Sequence, residues 1–370
     1  MTLAATLSFY IARTFVAWVL VMLASLSGLV SLFDFIELLR RSASKPEATF
    51  GLVTEMAALR LPYIAIQILP FAVLLGGILA LWRLTRSSEL IVARAAGVSA
   101  WQFLAAPVFC AMLLGGLATA AGSPLSSMLL ARAEQLDNLY LRAGGGPLAL
   151  AGGQLWLRQS DHGLSRSGVA IIHALGVSLK AKTLTVHDVS VFRLDGDDHL
   201  LTRIEASSAT LGPGVWLMEN ARTVRPDQVP GRPQVTLLPT DLTVNRVQES
   251  FASPDTLSVW ALPDFIRLLD RSGFSSIRHR LHFQSLLALP LLCGTMALVS
   301  AGFSMRPARR GGVARMLGSG VAAGFALFMI SKMAEEFGQS GALPVALAAW
   351  APAASGLMFA VALLLHLEDS

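Results

Sequence analysis

Six stretches of the chain contain no Asp, Glu, Lys or Arg: 14–33, 61–82, 95–131, 281–305, 316–331 and 337–367. Such runs constrain the fold more than any motif. A helix of ~20 apolar residues crosses the ~30 Å hydrocarbon core of a bilayer and satisfies its own backbone there. Together the runs hold 151 of the 370 residues, and only 14% of the chain is charged. That excludes disorder, a collagen-like chain and a simple soluble enzyme. A transmembrane barrel would show short alternating segments instead. The fold class expected is an α-helical polytopic membrane protein with six transmembrane helices.

The run 316–331 has only 16 residues, but Arg315 and Lys332 flank it, and their long stems can snorkel to the two headgroup layers. It is read as a span. The run 95–131 exceeds one crossing, and its start, AAGVSAWQF, reads as an approach along the surface that ends at Trp101. The first run is longer than a signal-peptide core and has no clean small-residue cleavage site, so it is expected to be retained. Orientation follows from basic residues in short loops. Loops 83–100 and 306–315 hold seven basic residues and one acid, whereas 34–60 and 332–340 hold five basic residues and six acids. The first pair is expected in the cytoplasm together with both termini, and the segment between the third and fourth spans outside.

That outside segment, 132–280, has 16 basic and 15 acidic residues and reads as β. Candidate strands are 154–158, 168–177, 183–194, 199–211, 214–224 and 234–244, separated by turn signals such as DGDD (195–198) and GPG (212–214). Short strands at this spacing suggest a sandwich or roll. Residues 257–271, LSVWALPDFIRLLDR, read as an amphipathic helix leading back to the membrane surface. The domains expected are 1–131, carrying the first three spans; 132–256, an all-β periplasmic domain; and 257–370, an interfacial helix followed by the last three spans.

Several chemistries lack their residues. His279 and His282 have no Cys or carboxylate at ligand spacing in the sequence, and DGDD lacks the remaining oxygens of a calcium loop, so no metal site is expected. GVSLKAKT (176–183) approaches a phosphate loop, but Ala181 stands where its second glycine is needed. The spans carry no charged residue for a proton relay, and no embedded serine has a His or Asp at suggestive spacing. Cys110 and Cys293 lie in apolar runs and read as packing residues. Gly76 and Gly77, Gly115 and Gly116, and the pair Gly320 and Gly324 read as close helix contacts.

The most informative loop is LWRLTRSSELIVARAAGVSAWQF (81–103). Ser87 or Ser88 can cap a short helix over about 84–97, with Glu89 in its first turn, an apolar face of Leu90, Ile91 and Val92, then Arg94, and Gly97 as its stop. It reads either as a solvated connector or as a coupling helix that docks its apolar face and carboxylate into a cytoplasmic ATPase.

The stretch SSELIVARAAGVS resembles the coupling helix of the LptF/LptG (YjgP/YjgQ) permeases of the lipopolysaccharide-export ABC transporter. RLHFQSLLALPLLC, FSMRPARRGGVARM and GQSGALPVALAAWAPA are similar to the family's fourth to sixth spans, and the resemblance covers essentially the whole chain. Of the family's two branches, GQSGALP is closer to LptG. The resemblance implies a β-jellyroll periplasmic domain, residence in the bacterial inner membrane, and no catalytic residues. It also implies a sister permease (LptF), two copies of the ATPase LptB, LptC with a periplasmic bridge, and lipopolysaccharide as cargo. ATP and magnesium would be bound by LptB, with no cofactor in this chain and no nucleic-acid partner. Ser88, Glu89, Arg94 and Gly97 would couple to the ATPase, Glu89 by direct contact. Arg40 and Arg41 match a basic pair that engages lipid phosphates, but a third basic residue found earlier in that helix is missing, because 31–35 supplies only Asp34. Two rivals stay open on the residues alone: a membrane-embedded enzyme using Asp34, Glu37, Glu55 and His282, and a permease that transmits force without moving lipid.

Overall fold

The computed structural model describes the chain except for residues 1, 44, 46–47, 88–99, 142–148, 152–153, 162–167, 181–182, 196–198, 226–230, 241, 244–252, 272–274, 305–312 and 369–370. It divides into two compact units. One comprises Met1–Glu134, Asp255–Leu262 and Ile277–Ser370, the other Gln135–Pro254 and Pro263–Ser276.

The first unit is helical. Its long elements in the amino-terminal half are α1 (Thr2–Ser42), α2 (Phe50–Arg86), α3 (Ala100–Leu117) and α4 (Ser123–Leu136), the last two joined by a π-turn over Ala118–Gly122. The short α5 (Leu262–Arg271) belongs almost wholly to the second unit, and the first resumes with α6 (Ile277–Ser304), α7 (Val313–Gln339) and α8 (Val345–Glu368). Thr49 caps α2 by accepting from the Leu52 amide at 3.3 Å, and Arg40 and Arg41 sit in the last turn of α1, where the helix dipole favours cations. The common core draws Phe15 and Val19 from α1, Val73 and Ile78 from α2, Leu104 from α3, Cys293 and Met296 from α6, and Ala360 from α8.

Among the described residues, five helical segments are long and apolar enough to cross a membrane: Thr6–Ser42, Phe50–Arg86, Trp101–Leu141, Ile277–Ser304 and Val345–Leu365. The helix α7 exists at 27 residues but is not among the five. Its apolar run is the shortest in the chain and is followed by Lys332, Glu335 and Glu336. Outward faces are apolar, as in Phe9, Leu20, Leu29 and Phe33 on α1 and Phe325, Ile330 and Met333 on α7. A surface of this extent suits hydrocarbon rather than water.

Prolines inside the helices leave carbonyls without their usual amide, and at two of them a side chain from another segment fills the gap. Pro290 removes the donor for the Leu286 carbonyl, which accepts instead from the Thr119 hydroxyl at 2.8 Å. Pro124 does the same to the Ala120 carbonyl, which accepts from the Trp260 indole at 3.1 Å. Glycines allow close approach beside these points. A Cβ on Gly115 would lie 2.7 Å from the Pro290 Cα, and one on Gly76 would lie 2.6 Å from the Val19 Cα. Gly77 meets Ser300, Gly320 meets Ile78 and Gly324 meets Leu74, whereas Gly116 has open space.

The second unit is a seven-stranded antiparallel meander in the order β1 (Ala149–Ala151), β2 (Gln154–Ser160), β3 (Val169–Lys180), β4 (Thr183–Leu194), β5 (Leu200–Gly212), β6 (Val215–Val224) and β7 (Gln234–Pro239). Six of these coincide with the strands read from the sequence, and β1 is additional. The core side is continuous across the sheet, but its alternation slips by one residue at a single level: Leu184 and Val186, then Val189 and Val191 on β4; Ile204 and Ala206, then Ala209 and Leu211 on β5. Asp188 (φ 52°) and Asn220 (φ 53°) lie on that line, and the Asn220 amide and the Ser207 hydroxyl tie β6 to β5 along it. The line is a crease that keeps apolar side chains inward as the sheet bends.

The bend is large. Gln159 on β2 accepts from the Trp216 indole on β6 at 3.3 Å and from the Thr240 hydroxyl at 2.7 Å, and donates to the Pro239 carbonyl at 3.0 Å. In a flat sheet at ~4.8 Å per strand, β2 and β6 would be about 19 Å apart, so the sheet folds over on itself. Leu269 of α5 is fully buried against this apolar interior, with Phe265 and Leu268 packed beside it. The apolar face that the sequence assigns to a membrane-surface helix is thus covered by the sheet. Residues 257–261 form turns rather than helix, which begins just before Pro263, a residue suited to a first turn. Asp161, fully buried, holds Arg193 by two hydrogen bonds of 2.5 and 2.9 Å.

Two substitutions test these contacts. Asp161→Ala should lower stability of the β unit by about 3 kcal/mol, because it strands Arg193 without its partner; amide exchange on β2 to β4 reads this. Gly76→Val should loosen α1 from α2 by about 1–3 kcal/mol, seen as a lower melting temperature in detergent.

Candidate substrate cavity and coupling segment

Contacts fix the relative directions of the cavity-lining helices. Ser304 on α6 donates to the Ile78 carbonyl on α2, while Phe71 of α2 stacks edge-on against Phe328 of α7 at 5.5 Å and Gly324 faces Leu74. Towards the other end, His282 on α6 meets Asp255, and Tyr63 on α2 lies close to the same carboxylate. Thus α2 and α6 run in the same direction and α7 runs against them.

Between these helices and α1 lies a cavity of about 610 Å³. Its two ends differ in chemistry. Phe71, Leu289, Leu292, Met296, Leu327 and Phe328 line the part nearer Ile78, and Tyr63, Gln67, Asp255, His282, Ser285, Lys332 and Glu335 line the other. The helix rise of ~1.5 Å per residue puts about 21 Å between His282 and Met296, long enough for an amphiphile with its head at one end and its chains at the other. The polar end is internally bonded: the Gln67 amide donates to the Tyr63 hydroxyl at 2.5 Å, His282 Nδ1 lies 3.2 Å from Asp255 Oδ1, and Lys332 Nζ lies 2.7 Å from Glu335 Oε2.

Asp255 reaches this site on the segment Asp255–Leu262, which returns from the β unit. Two contacts on α4 and the π-turn anchor it, the Val259 amide to Ser123 Oγ at 3.0 Å and the Trp260 indole to the Ala120 carbonyl. The sequence reading missed this cavity. Its walls come from segments more than two hundred residues apart, and the sequence signal that could have pointed to it is a pair of polar residues, Tyr63 and Gln67, within an otherwise apolar run.

Arg40 and Arg41 stand at the end of α1, beyond the residues Leu26 and Val30 that α1 gives to the cavity. Arg40 is exposed and makes a two-pronged ion pair with Glu37, each contact 2.8 Å. One turn earlier Asp34 pairs with Arg60 of α2 at 3.1 Å. Ser88, Glu89, Arg94 and Gly97 lie outside the described residues; α2 ends at Arg86, whose guanidinium lies over the Trp82 ring. The carboxylates considered for an enzyme do not converge, because Asp34 and Glu37 each hold an arginine and His282 is held by Asp255. Among the described residues no group of three or more His, Cys, Asp or Glu could hold a metal ion.

Comparison with known proteins places the whole architecture. The family model described as lipopolysaccharide export system permease LptF/LptG matches residues 9–366. The lipopolysaccharide export system permease protein LptG of Escherichia coli strain K12 is 24% identical over 368 residues, covering 96% of this chain and 97% of that protein. The protein of the same name from Haemophilus influenzae is 22% identical over 338 residues, 89% of each chain. A match from near the first helix to the last leaves no part of the fold to another ancestry, and the chain belongs to the LptF/LptG family of lipopolysaccharide export system permeases, most like LptG.

Proposed function

We propose that the chain is the permease subunit that extracts lipopolysaccharide from the outer leaflet of the bacterial inner membrane and passes it to a periplasmic bridge. The observation that carries this reading is the two-ended cavity between α1, α2, α6 and α7: apolar walls for acyl chains, a hydrogen-bonding end for a head. No bond of the substrate is made or broken, in keeping with a transport subunit rather than an enzyme. The chain runs through the membrane six times, with α7 as the short fifth span, both termini cytoplasmic and the β unit periplasmic. The folded-over sheet acts as a jellyroll-like trough whose apolar interior takes the chains onward.

Energy comes from a separate ATPase. The loop between α2 and α3 supplies the coupling helix, with Ser88 as cap, Glu89 as the contact to LptB, and Arg94 and Gly97 completing it. Two LptB copies bind ATP and magnesium, the sister permease LptF supplies the other half of the cavity, and LptC leads to the bridge. Closure of the ATPase pair narrows the cavity and displaces the lipid upward. Arg40 and Arg41 meet the lipid phosphates at the mouth, where a phosphate must compete with Glu37 for Arg40.

Glu89→Ala in the reconstituted transporter should release LptB and abolish ATP-dependent lipopolysaccharide release; unchanged assembly and release would remove Glu89 from the coupling contact. Arg40→Glu together with Arg41→Glu should cut lipopolysaccharide photocrosslinking and lipid-stimulated ATP turnover by about tenfold or more, as expected when two charge-assisted contacts are reversed.

A further inference from the structure

The polar end of the cavity gathers polar groups around one carboxylate. The Gln67 amide donates to the Tyr63 hydroxyl, Tyr63 lies close to Asp255, and His282 Nδ1 meets the Asp255 carboxylate at 3.2 Å. A carboxylate only accepts, so a neutral ring keeps its proton on Nδ1. In that tautomer the lone pair sits on Nε2. His282 is among the residues that line the cavity. Asp255 is itself held in place from outside the cavity, through Val259 on Ser123 and Trp260 on the carbonyl that Pro124 leaves open.

We propose that His282 is a specificity-determining residue for the cargo head and Asp255 its positioning residue: the relay presents Nε2 to a hydroxyl donor on a sugar-based amphiphile. This rests on the transport reading of the same cavity and adds the chemistry of discrimination. A glycerophospholipid with its phosphate and chains fits the apolar walls as well as a saccharolipid does, but a phosphodiester with no hydroxyl brings lone pairs to a lone pair. A saccharolipid turns a ring hydroxyl towards Nε2 and gains the bond. Sites built around a buried acceptor reject the analogue that lacks the donor, because the acceptor is then desolvated without a partner.

The test is saturable binding of fluorescent lipopolysaccharide, and of fluorescent phosphatidylmethanol as an anionic phosphodiester probe without a hydroxyl, to the transporter complex in nanodiscs. His282→Ala should weaken lipopolysaccharide binding about tenfold, the weight of one buried hydrogen bond, and leave phosphatidylmethanol unchanged. His282→Gln, whose carbonyl oxygen can stand near the Nε2 position, should restore binding to within a few-fold. Asp255→Asn is nearly isosteric, but its amide donates to Nδ1 and moves the proton to Nε2. It should therefore reproduce the His282→Ala loss for lipopolysaccharide, tighten phosphatidylmethanol, and leave the melting temperature of the complex unchanged, which a purely structural role for Asp255 would not do. Equal lipopolysaccharide binding by wild type, His282→Ala and Asp255→Asn overturns the inference while the transport reading stands. A wild-type complex with no saturable lipopolysaccharide binding overturns the transport reading and the inference with it.

Discussion

In hydrocarbon there is no water to take up a backbone carbonyl that its own helix has abandoned, and two of the carbonyls so freed in the helical unit are taken up by side chains from other segments. Pro290 abandons Leu286, and Pro124 abandons Ala120. In each case the replacement donor comes from elsewhere in the unit, Thr119 in one and Trp260 in the other. The first bond fastens the π-turn after α3 to α6 at the point where Gly115 lets the backbones meet. The second fastens the returning segment that carries Asp255. The prolines thereby fix where helices and linker touch, and the cavity's polar end is assembled from those fixed points.

The charge-free runs made the helices legible because transfer of a charged side chain to the bilayer centre costs several kcal/mol, so charge alone marks the boundaries. The strands were legible through alternation and turn residues; β4 in particular coincides end to end with the run TLTVHDVSVFRL. Two features were hidden for definite physical reasons. The crease at Asp188 and Asn220 depends on backbone angles that neither residue type dictates, and it changes the alternation in several strands at once. The short run of α7 sits at the limit of what composition can decide, with Lys332 and Glu335 closing it at one end.

The candidate site was less legible than the fold. Arginines at the end of α1 stand out in a sequence, yet Arg40 is already paired with Glu37 and neither it nor Arg41 contributes to the cavity wall. The residues that do line the polar end are common ones, a tyrosine, a glutamine, an aspartate and a histidine, drawn from three separate parts of the chain. Nothing in their spacing announces them. Only the pairing of α2 with α6, and the linker that the Trp260 indole holds, brings them to one place.

Closure of the β unit by Gln159 has a consequence of its own. The strands from β2 to β6 are joined by continuous backbone ladders, whereas among the described residues the two ends of the folded sheet meet through shared apolar packing and the hydrogen bonds of one carboxamide with its three partners. A barrel sealed by a ladder on every side would have to break many backbone bonds at once to admit a guest. A sheet fastened along one seam can part there at the cost of a few side-chain bonds and reseal afterwards, its ladders intact. Such a seam lets the two edges separate and rejoin with every strand still paired to its neighbour.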